Sequence, residues 1–156
     1  MTRATLYKHF PGKDDLIVAY LRQADEAIRT RISAVCSQDL NPDDAIRAIS
    51  RSIADDIQRP GFRGCAFLNA AAEYPDPTHP IHQAVLEHRQ WFLKTMTELF
   101  THTGKTDPEP AARHFIMLRD GAMSAGCLTD PAPIRETFVR GIEGLLTYRS
   151  HLKTKL

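Results

Sequence analysis

The sequence predicts an all-α protein, a bundle of helices, on three observations. Beyond Pro11, apolar residues recur three and four apart, which is the spacing of one helical face. No segment sustains the period-two alternation of β-branched and aromatic residues that marks a strand. Three times a capping residue stands directly before a proline, at Asn41-Pro42, Asp107-Pro108 and Asp130-Pro131. Proline suits the first helical position because the N–H it lacks would have no intrahelical partner there.

The elements follow in order. A short helix capped by Thr2 is expected to reach about His9, with Leu6 and Phe10 on its inner face. A long helix runs from Lys13 to about Ser37, and the next spans 42 to 58, with Asp43 and Asp44 where the helix dipole favours negative charge. Arg59-Pro60-Gly61 ends it. A helix over 65 to 73 is stopped by Tyr74-Pro75-Asp76-Pro77, and Thr78-His79-Pro80 opens another over 80 to 101, closed near Thr103-Gly104. Two more are expected over 108 to 128 and 131 to 151. The short connections predict neighbouring, packed helices.

Composition bounds the function. The 156 residues are 42% hydrophobic and 25% charged, enough to bury about 70% of the unfolded surface. No apolar run approaches the roughly 18 residues that span a bilayer, and Arg3, Lys8 and His9 are followed by no apolar signal segment, so a cytoplasmic protein without a membrane partner is expected. The widely spaced Cys36, Cys65 and Cys127 fit reduced thiols better than disulfides or zinc. A net charge of +1 excludes a generally basic nucleic-acid binder, so any such site is local.

Such a local site is present at the start. Residues 1 to 13 hold Arg3, Lys8, His9 and Lys13 and no acidic residue. On a helix capped by Thr2, the side chains of Thr2, Arg3, Thr5, Tyr7 and Lys8 are free for another surface. Arginine reads guanine edges, while threonine, tyrosine and lysine meet phosphates. A solvated basic N-terminus would have the same composition.

The string from Thr2 to Leu16, with the spacing Leu6-Tyr7-x-His9-Phe10-x-x-Lys13-x-x-Leu16, resembles the recognition helix and following turn of the TetR (tetracycline-repressor) family of bacterial regulators. The resemblance implies that Thr2, Arg3, Thr5, Tyr7, Lys8, His9 and Lys13 face operator DNA and that Leu6 and Phe10 are buried. It also implies a division into a helix-turn-helix remnant with its connecting helix, residues 1–37, and an effector-binding and dimerisation domain, residues 38–156. In the family the recognition helix is the third, so the helix-turn-helix is incomplete as the sequence is written. Met1 stands where a valine is usual, as a GTG codon taken for a start would give.

In the helix over 108 to 128, Ala111, Ala112, Gly121, Ala122, Ala125 and Gly126 form a small-residue stripe beside Phe115 and Leu118. In the last helix Ile134, Phe138, Gly141, Ile142 and Leu145 keep the helical period. Periodicity alone allows these stripes to face either the chain's own core or a partner. The resemblance implies the partner, a homodimer whose interface holds Phe115, Leu118, Gly121, Ala122, Ala125, Ile134, Phe138, Ile142 and Leu145.

The run from Gly64 to Tyr74, with His79-Pro80 behind it, is similar to the start of the effector domain in one broad group of that family. A pocket for a small hydrophobic effector is expected from Phe67, Trp91, Phe92, Met96, Met117 and Met123, with Asn69, Glu73, His88 and His114 as polar anchors. A lone histidine such as His88 in an apolar stripe is more often a satisfied core residue than a ligand group.

His79, His82 and His88 with Glu87 do not share one helical face, so no metal site is expected. Nothing positions a base or an oxyanion hole for Cys65, so neither an enzyme nor a cofactor is expected. The sequence reads as a ligand-responsive, TetR-like DNA-binding regulator, a repressor in its usual form. The alternative is a dimerising small-molecule binder without DNA affinity.

Overall fold

The structure, a computed structural model, describes residues 10–104 and 107–147. Among these it holds six helices and no strand: α1 (Lys13–Cys36), α2 (Pro42–Ile57), α3 (Ala66–Glu73), α4 (Pro80–Thr103), α5 (Pro108–Ala125) and α6 (Pro131–Thr147). The expected short helix over residues 2 to 9 and the end of the expected last helix lie outside the described residues. None of the described helices is long and apolar enough to cross a membrane.

The helix starts show how short-range chemistry sets the boundaries. Asn41 accepts a hydrogen bond from the Asp44 N–H at 2.9 Å, and Asp130 one from the Ala132 N–H at 3.1 Å. At the fourth start the cap is His79. Its Nδ1 accepts from the Ile81 N–H at 3.3 Å, while Thr78 bonds back to Asp76. Asp107 occupies its cap position without a side-chain capping bond. Gly104 closes α4 at φ 63°, a left-handed turn that favours glycine.

α5 ends at Ala125, three residues short of the expected boundary. Gly126 lies against Ile57 so closely that a Cβ would overlap the Ile57 Cγ2, and the chain turns there into α6. The close approach promised by the small-residue stripe is therefore made at Gly126, inside one chain. At Gly121 nothing lies within 4 Å of the position a Cβ would take.

α4 is the central element, packed against α1, α2, α3 and α5, while α6 covers α2 and α5. Phe115 is the hub of the core: its ring lies 6.3, 6.4 and 6.2 Å from those of Phe92, Phe100 and Phe138. Phe115, Ala122, Phe138, Ile142 and Leu145 are buried within this chain, so this part of the expected dimer interface faces the chain's own core. Leu118, Ala125 and Ile134 are half-buried, and Gly121 is exposed. Arg47 ties α2 to α6 through two bonds to Glu143, Nε to Oε1 at 2.6 Å and Nη2 to Oε2 at 3.0 Å.

Candidate functional site

The inward faces of four helices fail to meet completely, and the gap is a two-part cavity. α1 turns Leu21 and Ile32 into the core and leaves Ile28 and Val35 half-buried beside them. α2 supplies Ile49, Ile53 and Asp56, and α4 and α5 supply His88, Phe92, Arg119 and Met123. The inner part, of about 50 Å³, lies among these residues. An outer part, of about 380 Å³, continues past Cys65, Phe67, Phe62 and Tyr20 towards the surface. Ile28, Arg31, Asp56, Arg119 and Met123 line both.

His88 is satisfied in the core and also faces the cavity. It is only 3% exposed, and its Nδ1 lies 2.7 Å from Asp25 Oδ1 on α1. The carboxylate accepts, so Nδ1 carries the proton and Nε2 is left as an acceptor without a partner among the described residues. The ring stacks on Phe67 at 3.7 Å with an 8° interplanar angle. Burial pushes its pKa below the ordinary imidazole value, outweighing the hydrogen bond to Asp25, so the ring is neutral at pH 7.

Arg119 stands where the two parts join. Its side chain is 6% exposed; Nη1 donates to Asp120 at 2.8 Å, and among the described residues Nη2 reaches only the Cys65 sulfur, at 3.5 Å. The guanidinium lies 5.4 Å from the Phe92 ring centre. Burial weighs against its charge, but the Cys65 sulfur and the Asp120 carboxylate hold its pKa above the usual guanidinium value. Across the cavity, Asp56 Oδ2 takes Arg31 at 2.8 Å. Its Oδ1 lies 3.1 Å from Arg59 yet is buried without a well-formed hydrogen bond.

Four of the residues expected in a pocket come together here: Phe67, His88, Phe92 and Met123. Met96 is fully buried in the core behind them, and Trp91 is half-buried under Arg29, 4.2 Å from the guanidinium carbon. Asn69 and Glu73 line an adjoining surface hollow that shares Tyr20, Gly61, Gly64 and Ala66 with the outer part. His114 and Met117 point outward, Met117 being 73% exposed, because Phe115 and Ile116 take the inward positions of that turn of α5. Sequence reasoning missed the contributions of α1 and α2, and Arg119 and Cys65. The one signal that could have found them is Arg119 itself, a charged residue four positions from both Phe115 and Met123 on an apolar face.

Lys13, the described member of the expected DNA-facing set, is the first residue of α1. Thr2, Arg3, Thr5, Tyr7, Lys8 and His9 lie outside the described residues. The histidines weighed as metal ligands are used separately: His79 Nε2 lies 3.3 Å from Asp14, His82 bonds the Tyr74 carbonyl, and His88 bonds Asp25. No group of three potential metal ligands occurs among the described residues.

No family model matches the sequence. The fold is nevertheless that of solved TetR-type regulators: one from Legionella pneumophila superposes with a TM-score of 0.84 over 92% of this chain and 79% of that one, at 17% identity. Escherichia coli NemR in its reduced form does so with a TM-score of 0.79, at 17% identity and the same coverage. The crystal structure of SCO4454, a TetR-family transcriptional regulator from Streptomyces coelicolor, is 61% identical, with a TM-score of 0.89 over 94% of this chain and 77% of that one. The chain belongs to the TetR family of transcriptional regulators. It is also 24% identical over 120 residues to the HTH-type transcriptional regulator YjdC of Escherichia coli strain K12, covering 76% of this chain. It spans 63% of the length of YjdC.

Proposed function

We propose that the protein is a dimeric transcriptional regulator, a repressor in its simplest form, that binds operator DNA through residues 2 to 13 and is controlled by a small hydrophobic effector in the interior cavity. In this reading residues 1–37 are the DNA-binding side with its connecting helix, and residues 38–156 form the effector and dimer domain. One observation carries it: the cavity is walled by Ile28, Arg31, Ile32 and Val35 of α1, and the other end of that helix is Lys13. A molecule that fills the cavity pushes on α1, and a tilt of α1 moves whatever the chain carries before Lys13. Two recognition helices fit one DNA face only near the repeat of one turn, about 34 Å, so a small tilt suffices to release DNA.

The outer face of α5 and α6 supports the dimer. Gly121 of α5 and Gly144 of α6 leave open space where side chains would stand, Met117 of α5 is 73% exposed, and Leu128, in the turn between the two helices, is 80% exposed. Small residues beside exposed apolar ones invite a second pair of helices. The decisive experiment is a mobility-shift assay, on operator candidates, of this chain and of one extended upstream by the family's first two helices. Binding by the extended dimer that is reversed by an effector supports the reading. Failure of both to bind any DNA leaves only a ligand-binding dimer.

A further inference from the structure

We infer that the cavity takes an amphiphilic organic monoanion, a carboxylate with an apolar tail, and that Arg119 receives the carboxylate; this rests on the effector reading above and makes it specific. Three arginines line the two parts, Arg31, Arg59 and Arg119, against a single carboxylate, Asp56. Arg31 and Arg59 lie 2.8 and 3.1 Å from the two oxygens of Asp56 and offset its charge, although its buried Oδ1 makes no well-formed hydrogen bond. Arg31 and Arg59 are 42% and 69% exposed and are screened by solvent; the buried positive charge of the wall is that of Arg119, 6% exposed, where screening is far weaker.

Arg119 is the buried cation of the cavity wall, and one of its two contacts is weak. A guanidinium carries five N–H donors. Among the described residues one donor bond goes to Asp120 and one, at 3.5 Å, to a cysteine sulfur, a weak acceptor. Asp120 is itself shared with Arg89, at 2.8 Å. Its side chain is 6% exposed, so a stronger acceptor at Nη2 would act in a largely water-excluded setting. A carboxylate at the junction displaces the sulfur from Nη2 and replaces a poor contact by a charge-assisted hydrogen bond. Tyr20, Phe62 and Phe67 along the outer part give an apolar tail its bed. A neutral apolar molecule fills that bed equally well and leaves Arg119 as it is.

The test compares octanoate with octanamide, matched in shape and differing in charge, by calorimetric titration of the full chain at neutral pH. Octanoate is expected to bind about 10- to 100-fold more tightly, the scale of a hydrogen bond to a charged group. Arg119→Met, which keeps bulk and removes charge, is expected to abolish that preference while octanamide binding persists. Equal affinity of acid and amide for the wild-type chain, or a preference that survives Arg119→Met, overturns the assignment but leaves the effector cavity standing. If neither probe binds at millimolar concentration, the effector reading falls together with it. Should Arg119→Met fail to fold, a crystal structure of the wild-type chain with octanoate decides: carboxylate oxygens within about 3.2 Å of Arg119 support the inference, and a headgroup elsewhere overturns it.

Discussion

His88 Nδ1 and Asp25 Oδ1 lie 2.7 Å apart and join α4 to α1 beside the cavity. A neutral ring and a charged one can both donate this bond, but burial favours the neutral form and lowers the pKa of His88. The folded chain therefore binds a proton at His88 less readily than the unfolded chain. Stability from this group is complete above the unfolded value, about 6.5, and is lost as pH falls below it towards the folded pKa. Urea midpoints between pH 8 and pH 5 are expected to fall more steeply for the wild type than for His88→Asn. Parallel pH profiles would show that His88 does not titrate against folding.

Gly126→Ala is expected to cost about 1 to 3 kcal/mol, because the new methyl overlaps the branched Cγ2 of the fully buried Ile57 and lies 3.1 Å from the Ala122 carbonyl oxygen. Each kcal/mol lowers the melting temperature of a chain this size by about 2 to 4 °C. A variant that melts with the wild type would mean that α2 and α5 are further apart than they stand here.

Gly121→Leu is expected to behave in the opposite way. Nothing lies within 4 Å of the position its Cβ would take, so the fold is expected to be retained, while the proposed dimer face loses its flat surface. Sedimentation equilibrium should show weaker self-association with an unchanged circular dichroism spectrum. A wild-type chain that stays monomeric at high micromolar concentration would remove the dimer from the reading.

Glu143→Gln is expected to cost only about 0.2 to 1 kcal/mol despite the two-pronged bond to Arg47. Glu143 is 44% exposed and Arg47 27%, so solvent and salt screen the pair. The difference from the wild type should shrink as ionic strength rises from low to about 1 M.

The helix starts are legible in the sequence because each is encoded within four residues. Asn41-Pro42 carries its own cap and its own missing donor, and the structure starts α2 there. The end of α5 is not, since it depends on Gly126 meeting Ile57, residues far apart in sequence. The cavity is half legible for the same reason. Periodicity shows that Phe92 and Met123 point inward, but not that Ile28 of α1 and Ile53 of α2 line the same gap. It also misplaces Met117, where Ile116, one residue earlier, is the buried neighbour of Phe115.

DNA binding offers the last prediction, and it separates two roles in a DNA-binding form of the protein. Lys13 stands at the first turn of α1, where its ammonium and the free backbone N–H groups of the helix start can meet one phosphate. Such an interaction positions the protein without reading sequence. Lys13→Ala should weaken operator and random DNA alike and lower the slope of log affinity against log salt by about 0.9 for each phosphate that is no longer neutralised. Arg3 belongs to the segment that resembles a recognition helix, where a guanidinium reads base edges. Arg3→Ala should cost about 1 to 3 kcal/mol on the operator and little on random DNA. If Lys13→Ala altered operator preference at an unchanged salt slope, or Arg3→Ala weakened every sequence equally, the two roles would be wrongly assigned. If neither substitution changed binding, residues 2 to 13 would not be the DNA-contacting segment.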